Sequence, residues 1–140
     1  MPSVFTRIID GEFPGRFVWR DDTCVAFLSI NPLKPGHTLV VPRVEIDHWL
    51  DLDESLVTHL NVVSQKIGKA IQRAFSPLKV GVILAGLEVP HVHIHVLPIW
   101  SEADLNFANA EREPDPEVLD DAAKKIRAGL EGLGYPEVSK

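Results

Sequence analysis

One cysteine in 140 residues, Cys24, leaves no partner for an internal disulfide and cannot build a cysteine zinc site. Between Thr23 and Val25 it reads as a small buried apolar residue. Positive charge is also scarce. Fourteen Lys and Arg face 20 Asp and Glu, for a formal net charge of −6. That balance argues against broad binding to nucleic acid or an anionic membrane, yet a few local donors could still hold a small phosphorylated ligand. No long apolar run and no basic leader is present, so neither a transmembrane helix nor a signal peptide is expected, and a reducing cytoplasm is the natural compartment. Internal repeats and low-complexity tracts are absent. The apolar fraction of 45% and the length suit one domain over 1–140, with a core over about 1–100 and a C-terminal loop and helix over 101–140.

The chain punctuates itself with Pro, Gly and Asp. Val4 to Ile9 reads as a short helix, with Pro14-Gly15 as a turn after it. Phe17–Arg20 and Thr23–Leu28 read as strands around an Asp21-Asp22 hairpin turn, and His37–Pro42 as a third strand behind the rigid Asn31–Gly36 loop. Asp53 can cap a long helix whose apolar residues Leu56, Leu60, Val63, Ile67 and Ile71 recur at helical spacing. His59 falls off that stripe and reads as solvated, and His48 reads as a surface residue. Leu78–Leu84 and the segment from His91 read as further strands. Asp115-Pro116-Glu117 opens a last helix, and Ser101 to Pro114 reads as loop. Short connections favour an α+β fold: a five-stranded antiparallel sheet with the helices on one side.

What the chain does have is histidine in one place. His91, His93 and His95 alternate with Val92, Ile94 and Val96, so an extended strand sends three imidazoles to one face, neighbours roughly 6.5–7 Å apart. Burying three such rings together for structure alone is costly, because each neutral ring needs a donor and an acceptor. Zinc could take two alternating histidines, but no nearby Asp, Glu or Cys completes an obvious ligand set. Covalent catalysis at phosphorus suits them better, with one neutral imidazole as nucleophile, its far nitrogen held by an acceptor, and fixed donors around it.

The run His91 to Leu97 resembles the signature of the histidine triad (HIT) superfamily, histidine–apolar–histidine–apolar–histidine–apolar–apolar. Arg7 to Pro14, Asp22 to Phe27, and the proline-bracketed Asn31 to Pro42 with its fourth histidine, His37, resemble that family's segments in the same order. Ala85 to Pro90 and Asp104 to Ala110 look like a bacterial, actinobacterial branch. The resemblance implies a HIT-like fold and hydrolysis or transfer of a nucleoside monophosphate from a phosphoramidate, phosphoanhydride or phosphosulfate, without a cofactor or metal. It implies His93 as the nucleophile, His91 as its orienter through the backbone carbonyl, and His95 and His37 as binders of phosphoryl oxygens or aids to the leaving group.

The same resemblance places a purine base against Phe5, Ile8, Phe27 and Ile30, with Leu39 nearby; any one of these large apolar residues could equally be plain core. Ser29 stands where relatives often carry an acid that holds the ribose. Glu88 and Leu87 stand where relatives place phosphate donors, and a carboxylate there repels phosphate unless it turns away or is protonated. Ser3 and Thr6 replace paired zinc-binding cysteines of some bacterial relatives, so that structural zinc is not expected. A homodimer through the long helix and the fourth strand, with Val80, Val82 and Leu84, is implied as well. Trp100 reads as packing for the tail. A nucleotide-binding module without turnover is the rival function.

Overall fold

The computed structural model describes residues 1–139. Every residue of the strand Cys24–Leu28 is buried, which fits a run of β-formers covered on both faces. Eight elements follow in chain order: α1 (Val4–Ile9), β1 (Phe17–Arg20), β2 (Cys24–Leu28), β3 (Thr38–Pro42), α2 (Glu54–Phe75), β4 (Lys79–Ile83), β5 (Ile94–Ile99) and α3 (Pro116–Gly132). The five strands form one antiparallel sheet in the order β1-β2-β3-β5-β4.

Alternation sorts the sheet's two faces. Cys24, Ala26, Leu28, Val40, Ile94 and Val96 join Leu60, Ile67 and Ile71 of α2 and Ile126 and Leu130 of α3 in the larger core. Val25, Phe27, Leu39 and Val41 point the other way and pack with Phe5 of α1. The expectation of helices on one side is therefore corrected. α2 and α3 cover one face, and the short α1 covers part of the opposite one, leaving the rest of that face for a pocket.

Local chemistry sets the boundaries. The Asp53 carboxylate accepts from the Leu56 amide at 2.8 Å and starts α2. Asp115 caps α3, with Pro116 in its first turn. The two long helices meet closely because Gly129 lets Ala70 approach: a Cβ at 129 would lie 3.1 Å from Ala70. Gly36, at φ +98°, sits where a Cβ would meet the Phe75 ring at 2.6 Å. The histidine strand begins later than its alternation suggests. β5 starts at Ile94, and His91 to His93 precede the ladder, with the Val92 amide donating to the Ile46 carbonyl at 2.8 Å. Pro98 is tolerated inside β5 because β3 pairs only as far as Val96, so one edge is already free there.

His59 is not simply solvated. Its Nε2 lies 2.8 Å from Asp21, whose carboxylate also accepts from Trp19 and from the amides of Thr23 and Cys24. Burial raises that carboxyl, but the hydrogen bonds from Trp19, Cys24, Thr23 and His59 outweigh it and bring the pKa down to about 2. The β1–β2 turn is thereby stapled to α2. Among the described residues no helix is long and apolar enough to cross a membrane.

Candidate active site

Four histidines are buried together on the face that α1 only half covers: His91 (0% exposed), His37 (1%), His93 (4%) and His95 (8%). The objection to burying such rings is met by partners, because nearly every ring nitrogen has a defined role. His91 Nε2 lies 2.8 Å from the Pro42 carbonyl, so it carries the hydrogen, and Nδ1 accepts from the Ser3 hydroxyl at 2.7 Å. His93 Nδ1 lies 2.7 Å from the His91 carbonyl and must also carry hydrogen. The Nε2 lone pair of His93 then faces the pocket with no hydrogen-bond partner among the described residues.

The other pair is fixed by the main chain. The Leu33 amide can only donate, and it reaches His37 Nδ1 at 3.0 Å. A neutral His37 therefore holds its hydrogen on Nε2, which donates to His95 Nδ1 at 2.8 Å. His95 in turn carries its hydrogen on Nε2. All four tautomers follow from these contacts. The site thus presents one lone pair, on His93, and one N–H donor, on His95. Their rings meet edge to face with centroids 4.8 Å apart. Both nitrogens of His37 are engaged in these contacts.

Electrostatics keep the rings neutral. Burial, followed by the charge of His93, depresses His37 to about 4. Burial, followed by the charges of His37 and His93, depresses His95 to about 3. Burial also lowers His91 and His93, and for His93 the bond to the His91 carbonyl partly offsets it. A neutral His93 is the form that can attack an electrophile.

A cavity of about 520 Å³ opens in front of these rings. Phe5, Ile8, Phe27, Leu39, Ser29, Ile30 and Glu88 all line it, together with His37, His93 and His95. Phe5 stands edge-on to His93 at 4.8 Å and to Phe27 at 5.6 Å. Ile30 is 68% exposed, so it forms rim rather than wall. His91 lies behind the cavity rather than in it. Glu88 does reach the cavity, and its charge favours a protonated His93.

Several contributors escaped sequence reasoning. Ser3 caps α1 and satisfies His91. Glu45 in turn accepts from the Ser3 amide at 2.6 Å and from Thr6 at 2.7 Å. Ser3 read only as a residue in place of a metal ligand, although a serine just before a helix is itself a capping signal. Replacing Ser3 with alanine leaves His91 Nδ1 without its donor and α1 without its cap, and a loss of about 2–3 kcal/mol is expected from chemical denaturation. A loss below about 0.5 kcal/mol contradicts the assigned His91 tautomer. Phe107, Ala110 and Arg112 of the expected loop also line the cavity, and the Phe107 ring lies 4.9 Å from His95. That stretch holds two 3-10 turns, Glu102–Leu105 and Phe107–Asn109. Trp100 is half exposed beside Lys34 rather than packed into the tail.

Metal ligation fits the histidines poorly. Among the described residues the group of three ligating side chains whose atoms lie within 4.8 Å of one another is Asp21, Cys24 and His59, on the α2 side of the sheet. The triad does not form such a group: the lone pairs of His91 and His95 are directed to Ser3 and His37, and that of His93 alone is open.

Comparison with known proteins agrees with this geometry. Residues 10–101 match the family described as HIT domain. A HIT-like protein of Saccharolobus solfataricus is 32% identical over 137 residues, 94% of this chain and 90% of that protein. The asymmetrical bis(5'-nucleosyl)-tetraphosphatase of Schizosaccharomyces pombe is 33% identical over 112 residues, 72% of this chain and 62% of that enzyme. Among solved structures, a Hit-like protein involved in cell-cycle regulation from Bartonella henselae superposes with a TM-score of 0.80 at 32% identity, over 91% of this chain and 95% of that one. A zinc-bound histidine triad family protein from Mycobacterium smegmatis gives 0.81 at 26% identity, over 93% and 94%. These relatives come from archaea, bacteria and a yeast and single out no branch. With a matched family model, a shared five-stranded sheet and the histidine run in place, this chain belongs to the HIT domain family.

Proposed function

We propose that the chain is a nucleotide hydrolase or nucleotidyl transferase acting at the α-phosphorus of a nucleoside phosphoramidate or a (di)nucleoside polyphosphate. The observation that carries this reading is the lone pair of His93, free and directed into a cavity of nucleotide size, with the His95 N–H beside it. The tetraphosphatase activity of the fission-yeast relative supports the substrate class.

In the proposed reaction His93 Nε2 attacks phosphorus, and the N–P bond forms as the bond to the leaving group breaks. The leaving group departs with the bonding pair, and an amine takes up a proton from solvent as it leaves. Positive charge that develops on the His93 ring is spread to Nδ1–H, where the His91 carbonyl accepts it at 2.7 Å. His95 Nε2–H donates to a phosphoryl oxygen, oriented by His37 and ultimately by the Leu33 amide. Water then attacks phosphorus, placing its hydroxyl on the nucleotide while the ring leaves and the remaining proton goes to solvent. A purine sits among Phe5, Ile8, Phe27 and Leu39, with Ile30 at the rim. A second copy of the chain is the proposed partner, paired through the edge strand β4, where Val82 is 54% exposed.

Glu88 favours a second reading, a nucleotide-binding module with little turnover, because its carboxylate lines the cavity that has to accept phosphate. A fluorogenic adenosine 5'-phosphoramidate separates the two. Release of the fluorophore, with an AMP adduct on the His93 peptide after alkaline quench, is the expected outcome. Tight AMP binding with no release establishes the module instead. Loss of turnover on chelation, restored by zinc, establishes a metal hydrolase.

A further inference from the structure

We propose that Arg112, which lines the same cavity as Ser29, forms a subsite for a phosphoryl group on the nucleotide other than the one that meets His93. The proposal rests on the nucleotide reading above and adds a substrate class to it: a nucleoside carrying phosphate at two positions.

Two arginines line the cavity, Arg16 and Arg112. Arg16 is already paired, its Nε 2.7 Å from Asp120, and that contact also neutralises the Asp120 carboxylate on the same rim. The Arg112 side chain makes no hydrogen bond or ion pair among the described residues, so its guanidinium is an unpaired charge at the exposed rim of the cavity. The remaining carboxylate of the cavity, Glu88, belongs to the segment before the triad rather than to the strap that carries Arg112.

The backbone that carries Arg112 is fixed in place. The Glu111 amide donates to the Pro32 carbonyl at 2.9 Å. With its amide oriented to satisfy its neighbours, Asn31 donates to the Arg112 carbonyl at 3.2 Å. Lys34 pairs with Asp104 at 3.3 Å. The strap from Asp104 to Arg112 is therefore laced to the 31–37 loop that orients His37 and His95. Ser29 follows β2, and its amide donates to the His37 carbonyl. The Ser29 oxygen accepts from the Asn31 amide at 3.3 Å, so its hydroxyl hydrogen is free to donate. Ser29, Ile30, Asn31, Phe107 and Ala110 are all neutral, and no carboxylate among them competes for the guanidinium.

The cavity lining thus carries three kinds of chemistry: apolar side chains in Phe5, Ile8, Phe27 and Leu39, imidazoles in His93 and His95, and an unpaired cation in Arg112 with a hydroxyl in Ser29. A guanidinium is charged at any working pH and offers paired donors that match phosphate oxygens. Sugar-phosphate selection by an arginine, where an acid would select a free hydroxyl, is a general solution in nucleotide sites.

The second position is on the ribose, and binding tests it against a longer 5' chain. Calorimetry on the full chain compares AMP with ADP, adenosine 2',5'-bisphosphate and adenosine 3',5'-bisphosphate. At least one of the two bisphosphates is expected to bind about tenfold tighter than AMP and ADP. Arg112→Ala should bring that ratio close to one, and Arg112→Lys should keep part of it. ADP favoured over both bisphosphates overturns the second position and leaves only the polyphosphate already proposed. A ratio near one in the unaltered protein, or a ratio unchanged by Arg112→Ala, overturns the subsite while leaving the nucleotide reading intact. Absence of binding by all four ligands overturns both.

Discussion

Replacing His93 with alanine is expected to cut turnover of an adenosine phosphoramidate by at least about 10³-fold while AMP still binds. The size of the effect follows from how the other imidazoles are spent. His91 gives both ring nitrogens to Pro42 and Ser3, and His37 gives both to Leu33 and His95. His95 turns a hydrogen, not a lone pair, toward the open side. No neighbour can substitute for a lost lone pair. Replacing His95 with alanine should be milder, since it removes one donor to the transition state, a loss of about 2.7–4 kcal/mol. Measured kcat values that fall more for His95→Ala than for His93→Ala would reverse the assigned roles, and an unimpaired His93→Ala would end the covalent mechanism.

The second large effect concerns stability in acid. His37 and His95 titrate near 4 and 3 in the folded chain, against 6.5 in an exposed imidazole. Between 6.5 and those values the unfolded chain takes up protons that the folded chain refuses, so stability falls as pH falls through that window. The slope is about 1.4 kcal/mol per pH unit for each ring. Below 3.8 the Asp21 carboxylate adds to the loss, because its pKa near 2 means that the unfolded form protonates first. Urea midpoints recorded from pH 7.5 to pH 4 should therefore drop steeply below 6.5. Replacing His95 with asparagine should flatten the curve. A midpoint that is level or rising toward pH 5 would mean that folding does not depress the titration of the buried rings.

Much of this was legible in the residues. Alternation at 91–95 pointed to a shared face, Asp53 and Asp115-Pro116 announced their helices, and Pro42 ended its strand. What could not be read was the set of partners that chain separation hides. Ser3 and His91 lie 88 residues apart, and Leu33 acts through its backbone, which no side-chain pattern reports. His59 and Asp21 are brought together by the packing of α2 on the sheet, so helical periodicity alone left His59 in solvent. The 101–114 stretch has no periodicity at all. Its place against the cavity comes from single tethers such as Glu111 to Pro32.

The Leu33–His37–His95 relay runs in one direction because a peptide N–H sits at its head. It leaves an electron pair and a hydrogen side by side, and an inert oxyanion cannot please both: its oxygens meet the hydrogen of one ring but collide electrostatically with the electron pair of the other. An electron-poor phosphorus with electron-rich oxygens satisfies the two at once.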